Sequence, residues 1–126
     1  MKDFWYLGSP YSKFPGGIEE AWRLVCIEAA RLIKQGIPVY SPIAHTHSIA
    51  VHGNMDPYDY TIWLRADAPL MHSAKGLIVL KLPEWHSSKG LLYEINLFIE
   101  LNKPIIYLDP GADLLEIEEE MRNEHR

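Results

Sequence analysis

Apolar positions along this chain switch between two periods, and the switches mark its elements. Asp3–Gly8 is a compact run, Phe4-Trp5-Tyr6-Leu7, that reads as a short buried strand stopping at Gly8. Gly8-Ser9-Pro10-Tyr11-Ser12-Lys13-Phe14-Pro15-Gly16-Gly17 is rich in turn formers and reads as a loop. Ile18, Ala21, Trp22, Val25, Ala29, Leu32 and Ile33 then recur at helical steps, predicting a helix over Ile18–Gln35 with Gly36 as its stop. Ile37–Tyr40 is a second short strand, closed by Ser41-Pro42. Ile43–Asn54 is ambiguous and reads as a short helix and a loop. Asp56-Pro57 has the form of an N-cap followed by proline at the first helical position, and the helix it opens runs through Ile62, Trp63 and Ala66 until Pro69 kinks or interrupts it. Gly76–Leu82 is a third strand, Ser87–Asn102 an amphipathic helix, Pro104–Leu108 a fourth strand and Asp113–Met121 a terminal helix with an acidic face.

Strands alternating with helices imply an α/β fold whose mostly parallel sheet is covered on both faces. The expected architecture is a small flavodoxin-like three-layer sandwich with a four- to five-stranded sheet in the order 2-1-3-4. In that order the loops after strands 1 and 3 meet at the switch point. The Gly8–Tyr11 loop and the Pro83–Glu94 segment then converge, although they are far apart in sequence.

Composition narrows the partners. The chain has 126 residues, expected to form one domain over 1–126, and is 48% hydrophobic and 23% charged, as an ordinary globular chain is. Acidic residues outnumber basic ones, 17 to 12, for a net charge of -5, and no basic stripe is present. A nucleic acid polymer is therefore a poor partner, while a single nucleotide remains possible. The lone Cys26 cannot form an internal disulfide. No apolar run is long enough to span a bilayer, and Met1-Lys2-Asp3 does not begin a leader pattern, so the expectation is a cytoplasmic protein without a membrane partner.

Ser87-Ser88-Lys89-Gly90-Leu91-Leu92-Tyr93-Glu94 is the most telling stretch. It opens a helix after a buried strand, so free N–H groups point into the crevice at the switch point. Gly90 lets a ligand approach the backbone closely. Glu94, Asp67 and, less directly, Asp59 are carboxylates placed near that crevice. Paired carboxylates suit cleavage of a glycosidic bond, where one attacks or stabilises the anomeric carbon while a second group protonates the leaving group. Glu94 is the better nucleophile, being fixed by a helix beside Ser88 and Gly90. The competing reading is a solvated helical glutamate. Gly8-Ser9 closes strand 1 in the same crevice and can hold a phosphate or sugar oxygen, although no GxGxxG fingerprint follows it.

Four segments together resemble the nucleoside 2-deoxyribosyltransferase superfamily, which includes deoxynucleoside-monophosphate N-glycosidases. They are Tyr6-Leu7-Gly8-Ser9, Asp67 with Leu70-Met71 and Ala74, Ser88-Lys89-Gly90-Leu91-Leu92-Tyr93-Glu94, and Asn102-Lys103-Pro104-Ile105-Ile106. The resemblance implies that Glu94 is the nucleophile, that Asp67 protonates or orients the leaving base, and that Tyr6 orients Glu94 or contacts the sugar. It also implies no cofactor or metal and a homo-oligomer with shared active sites. Transferases of that superfamily usually carry Asp where this chain has Ser88. A hydroxyl at a helix N-terminus attracts a phosphate that a carboxylate would repel, which tilts the expectation toward a 5′-monophosphate and hydrolysis.

Trp63, Trp85, Tyr11 and Tyr58 are candidates to stack on a base. Trp85, in a loop with little apolar company, is preferred, and Trp63 and Tyr58 suit core packing or a subunit contact better. His45, His47 and His52 contain a His-x-His pair able to chelate a metal, but they read more simply as loop histidines along the pocket or surface. His72 and His86 flank the site. A non-catalytic nucleotide-binding module and a metal hydrolase built on the histidines are the competing functions.

Overall fold

The computed structural model describes residues 3–123. Met1 and Lys2, where the leader pattern was sought, lie outside the described residues. Four strands form one sheet: β1 (Trp5–Gly8), β2 (Val39–Tyr40), β3 (Gly76–Leu80) and β4 (Ile105–Leu108). Every pairing is parallel and the order is β2-β1-β3-β4, so the protein is a flavodoxin-like α/β sandwich as its alternating pattern predicts. The helices are α1 (Ile18–Lys34), α2 (Pro42–His52), α3 (Tyr60–Ser73), α4 (Lys89–Glu100) and α5 (Leu114–Asn123).

Alternation along the strands sorts the side chains into two cores. Trp5, Leu7, Ile78, Leu80, Ile106 and Leu108 meet α1 through Ala21, Val25 and Leu32, and α5 through Leu114, Ile117 and Met121. Tyr6, Leu77 and Val79 face the other way, toward Met71 of α3 and Leu91, Ile95 and Phe98 of α4. A fully buried side chain of this kind contributes roughly 2 kcal/mol. The two helical layers, rather than the two-residue β2, therefore hold the sheet together. The same alternation sends Tyr6 to the α3–α4 face, which later matters for chemistry.

Helix ends follow local chemistry. At the end of α1, Gly36 adopts φ +88, its N–H donates to Ile33 O at 3.0 Å, and Ile37 N–H donates to Leu32 O at 3.0 Å, a Schellman closure. Lys103, just before β4, donates from Nζ to the carbonyls of Met71, His72 and Ala74. An ammonium thus occupies the negative end of α3.

Three local expectations are corrected. The cap of α3 is Asp59, not Asp56: Asp59 accepts from Ile62 N–H at 3.4 Å, while Asp56 folds into its own turn by accepting from Tyr58 N–H at 2.9 Å. Asp59 is committed to capping and is not a carboxylate of the crevice. Pro69 does not interrupt α3, which continues to Ser73; the ring forfeits the bond to the Arg65 carbonyl and packing on the sheet carries the helix past it. The three histidines lie on α2 or at its end, not in a loop.

Candidate active site

The C-terminal ends of β1 and β3 open into a cavity of about 670 Å³, a size that suits a small organic ligand. Its walls come from the β1–α1 loop, α2, the α2–α3 turn, α3 and the first two turns of α4. Ser9, Tyr11, Asp67, Ser88, Gly90 and Glu94 all line it. The geometry at Gly8 fixes how close the partners stand: a Cβ there would lie 2.7 Å from Glu94 Oε1 and 2.8 Å from Leu91 Cδ1. Only glycine lets the carboxyl of α4 rest on the end of β1.

Ser88 caps α4, its Oγ accepting from Leu91 N–H at 3.3 Å, and its own proton is left to donate. The Lys89 and Gly90 N–H groups, at the first two helical positions, have no carbonyl partner within the helix. Across the crevice the Ser9 hydroxyl is buried and makes no hydrogen bond among the described residues. A buried hydroxyl without a partner carries a desolvation cost that a bound ligand would remove. At Gly90, a Cβ would only touch Tyr60 at an ordinary 3.6 Å. The protein's own packing does not demand glycine there, so the open backbone serves whatever enters the cavity.

Burial sets the electrostatics. Glu94 is pushed up to about 8, mainly by loss of solvent; the charge of Asp67 adds to the rise, and the Tyr6 hydroxyl opposes it by favouring the carboxylate. Asp67 is pushed up to about 6 by burial, opposed by a hydrogen bond from Tyr40 and by His45. The Tyr6 phenol is raised strongly by its own burial and then by the charges of Glu94 and Asp67. Tyr6 Oη stands near enough to influence Glu94 without meeting the geometry of a formed hydrogen bond among the described residues. The carboxyl pair therefore holds a single proton across about pH 6 to 8.

Tyr40, absent from the residues singled out by sequence, positions Asp67. Its hydroxyl donates to Asp67 Oδ1 at 3.2 Å and lies 3.0 Å from His45 Nδ1. One phenolic proton cannot serve both, so donation to Asp67 requires His45 Nδ1 to carry a hydrogen. Tyr40 was legible in principle. It pairs with Tyr6 across β1 and β2, so the two rings share a face, with centroids 5.8 Å apart.

A family model described as a domain of unknown function (DUF1937) matches residues 4–109. The chain belongs to the DUF1937 family. A search of curated proteins returns no match. The DUF1937 match runs from the start of β1 through the end of β4 and takes in every residue of the cavity wall.

The aromatic placements in this DUF1937 chain differ from expectation. Trp85 does not line the cavity: it packs on Tyr107 of β4, ring centroids 5.7 Å apart, and against the α3–α4 core. Tyr107 supplies the apolar company that the loop sequence lacked. Trp63 and Tyr58 instead face the cavity, together with Tyr60 and Tyr93. Trp63 is held by donation from Nε1 to Asp56 O at 2.9 Å. Among the histidines, His45 meets Tyr40, His47 is buried beside Tyr11 and Glu19, and His52 is exposed. Among the described residues no group of three or more His, Cys, Asp or Glu is arranged to hold a metal ion. No described helix is long and apolar enough to cross a membrane.

Proposed function

We propose that this protein cleaves or transfers the N-glycosidic bond of a 2′-deoxynucleoside or its 5′-monophosphate. One observation carries the reading: the Glu94 carboxyl rests against Gly8 in a cavity it shares with Asp67, an unpartnered Ser9 hydroxyl and the N-terminus of α4. Three of the four segments resembling the deoxyribosyltransferase superfamily supply these same groups. The single proton of the pair passes from Glu94 to Asp67 as the ligand binds; Glu94 then attacks the anomeric carbon as a carboxylate, Asp67 delivers that proton to the departing base, and water or a second base releases the sugar from Glu94. Positive charge developing at the anomeric carbon favours the ionised form of Glu94 at the moment of attack, and the Tyr6 hydroxyl favours it throughout. Ser88, Ser9 and the free N–H groups of α4 hold the phosphate or sugar oxygens, with Lys89 on the same wall. Trp63 and Tyr58 offer faces for the base. No cofactor or metal takes part in this scheme.

Tyr58, Tyr60, Leu92 and Tyr93 are exposed at the cavity rim, which supports a homo-oligomer whose neighbours cover each site. The single cysteine supports a cytoplasmic setting.

A second reading, a nucleotide-binding module without turnover, is favoured by one observation: loss of solvent pushes Glu94 up to about 8, which disfavours the carboxylate that attack requires. Incubation with a panel of deoxynucleosides and their monophosphates, with and without an acceptor base, decides between them. Release or exchange of base by the native protein, lost in Glu94→Gln, is the expected result. Tight binding without released base in the native protein overturns catalysis and leaves the module.

A further inference from the structure

Tyr11 enters the cavity from the β1–α1 loop, and a chain of hydrogen bonds stands behind it. Its Oη lies 2.6 Å from His47 Nδ1, and His47 Nε2 lies 3.1 Å from Glu19 Oε1. His47 is 1% exposed, while Glu19 is 72% exposed on the outer side of α1. The indole of Trp22 stacks on the imidazole, with centroids 4.8 Å apart and planes 29° from parallel. The ring is thus clamped between α1 and α2, and both of its nitrogens are engaged.

Chemistry dictates the direction of the bonds. A carboxylate oxygen can only accept, so Nε2 must carry the hydrogen. In a neutral imidazole Nδ1 is then an acceptor, and its partner must donate. The Tyr11 proton is therefore turned inward, and the oxygen shows the cavity lone pairs alone. Burial pushes the Tyr11 phenol up to about 12, so it keeps that proton.

We propose that Glu19 and His47 are positioning residues that fix Tyr11 as an obligate hydrogen-bond acceptor, which selects ligands presenting an N–H donor at that point of the cavity. The wall beside it indicates which part of the ligand arrives there. Tyr58 lies close enough to act on the Tyr11 hydroxyl, and Pro42, Ile43 and Trp63 line the same cavity with apolar surface. With sugar and phosphate held at α4, this aromatic and apolar wall receives the base, so the donor is an exocyclic amino group. The ligand class rests on the nucleotide reading above; the direction of the hydrogen bonds does not.

The experiment has two arms. In the first, nitrogen–proton correlation NMR of the full chain with labelled histidine reads the His47 tautomer without any ligand. A protonated Nε2 with a bare Nδ1 is expected, and a hydrogen on Nδ1, in the reverse tautomer or in the imidazolium, overturns the inference. In the second, calorimetry compares deoxyadenosine with deoxyinosine monophosphate, and deoxycytidine with deoxyuridine monophosphate. The native protein binds the amino member of a pair about tenfold more tightly, because an oxo group there leaves two acceptors facing each other. His47→Phe keeps the stacking on Trp22 and loses that preference. His47→Asn, whose amide oxygen can stand in for Nδ1, keeps it. Glu19→Lys, at an exposed position that folding tolerates, donates to Nε2, moves the imidazole hydrogen to Nδ1 and reverses the preference toward the oxo member. An unchanged preference in Glu19→Lys and His47→Phe overturns the selectivity while nucleotide binding stands. Absence of binding by all four nucleotides defeats the nucleotide reading and the selectivity with it, and the tautomer arm still judges the relay.

Discussion

Two glutamates sit on helices on opposite faces of the sheet, one buried and one half-buried beside a cavity, and they are treated in opposite ways. Glu28 of α1 is buried, with every need met: Oε2 receives Arg31 Nε at 2.8 Å, and Oε1 receives the Gly111 N–H at 2.6 Å. Arg31 also donates to Ala112 O at 3.0 Å, so the pair clamps the turn after β4. Glu94 of α4 has no basic partner among the described residues, and a phenol, a second carboxyl and an open cavity surround it. Burial of a carboxyl is thus not in itself a sign of chemistry. A half-buried carboxyl left without a cation at the edge of a cavity points more strongly that way, because its desolvation is not offset within the fold.

Substitution to glutamine should separate the two most widely. Glu94→Gln is expected to lower base release by on the order of a thousandfold or more while the chain stays folded. Glu28→Gln should leave turnover close to native. Release assays on the two variants side by side test this, and equal losses would erase the distinction.

The pH dependence of stability gives the next largest effect. Both Glu94 and Asp67 titrate higher in the folded chain than their ordinary values of 4.5 and 3.8. Between about pH 4 and 8 the folded state therefore binds more protons than the unfolded one, and stability falls as pH climbs through that window. At about 1.4 kcal/mol per unit, Glu94 alone contributes on the order of a few kcal/mol to the fall. Denaturant titrations at pH 5 and pH 9 should show it, and Glu94→Gln should flatten the slope. A slope unchanged by that substitution would mean the carboxyl is solvated.

Strand order, the cap at Ser88 and the meeting of Glu94 with Gly8 and Asp67 were all legible in the sequence. Periodicity names buried faces, and parallel topology brings two loops together. Long-range side-chain pairing was not legible. Tyr11 and His47 meet from different elements, and nothing in the helical pattern of α2 tells that His47 turns inward while His45 reaches Tyr40. Trp85 was misplaced for the same reason, since its partner Tyr107 comes from a distant strand. The Asp56-Pro57 pair imitated a cap because an Asx turn and an N-cap use the same side-chain oxygen.

Smaller effects sharpen the contrast between satisfied and unsatisfied groups. Glu28→Gln should cost about 2 kcal/mol, below the range for a fully buried pair because Arg31 is partly solvated. Equilibrium unfolding measures it, and a loss within error would show the clamp to be idle. Gly8→Ala should cost roughly 1–3 kcal/mol, since its methyl meets Glu94 and Leu91. Gly90→Ala should keep or slightly raise thermal stability yet weaken ligand binding, because its methyl has room in the protein but none to spare for a guest. Undiminished affinity in that variant would remove the close approach at the start of α4.

Lys103 carries a consequence of its own. Pro69, two residues past Asp67, leaves α3 one backbone rung short, and the Lys103 amine grips the carbonyls just beyond that gap. Acetylating this amine would alter no wall of the cavity, yet it would slacken the tether of the helix that carries Asp67. The placement of Asp67 thus has a handle outside the cavity, at a residue that is no part of its wall.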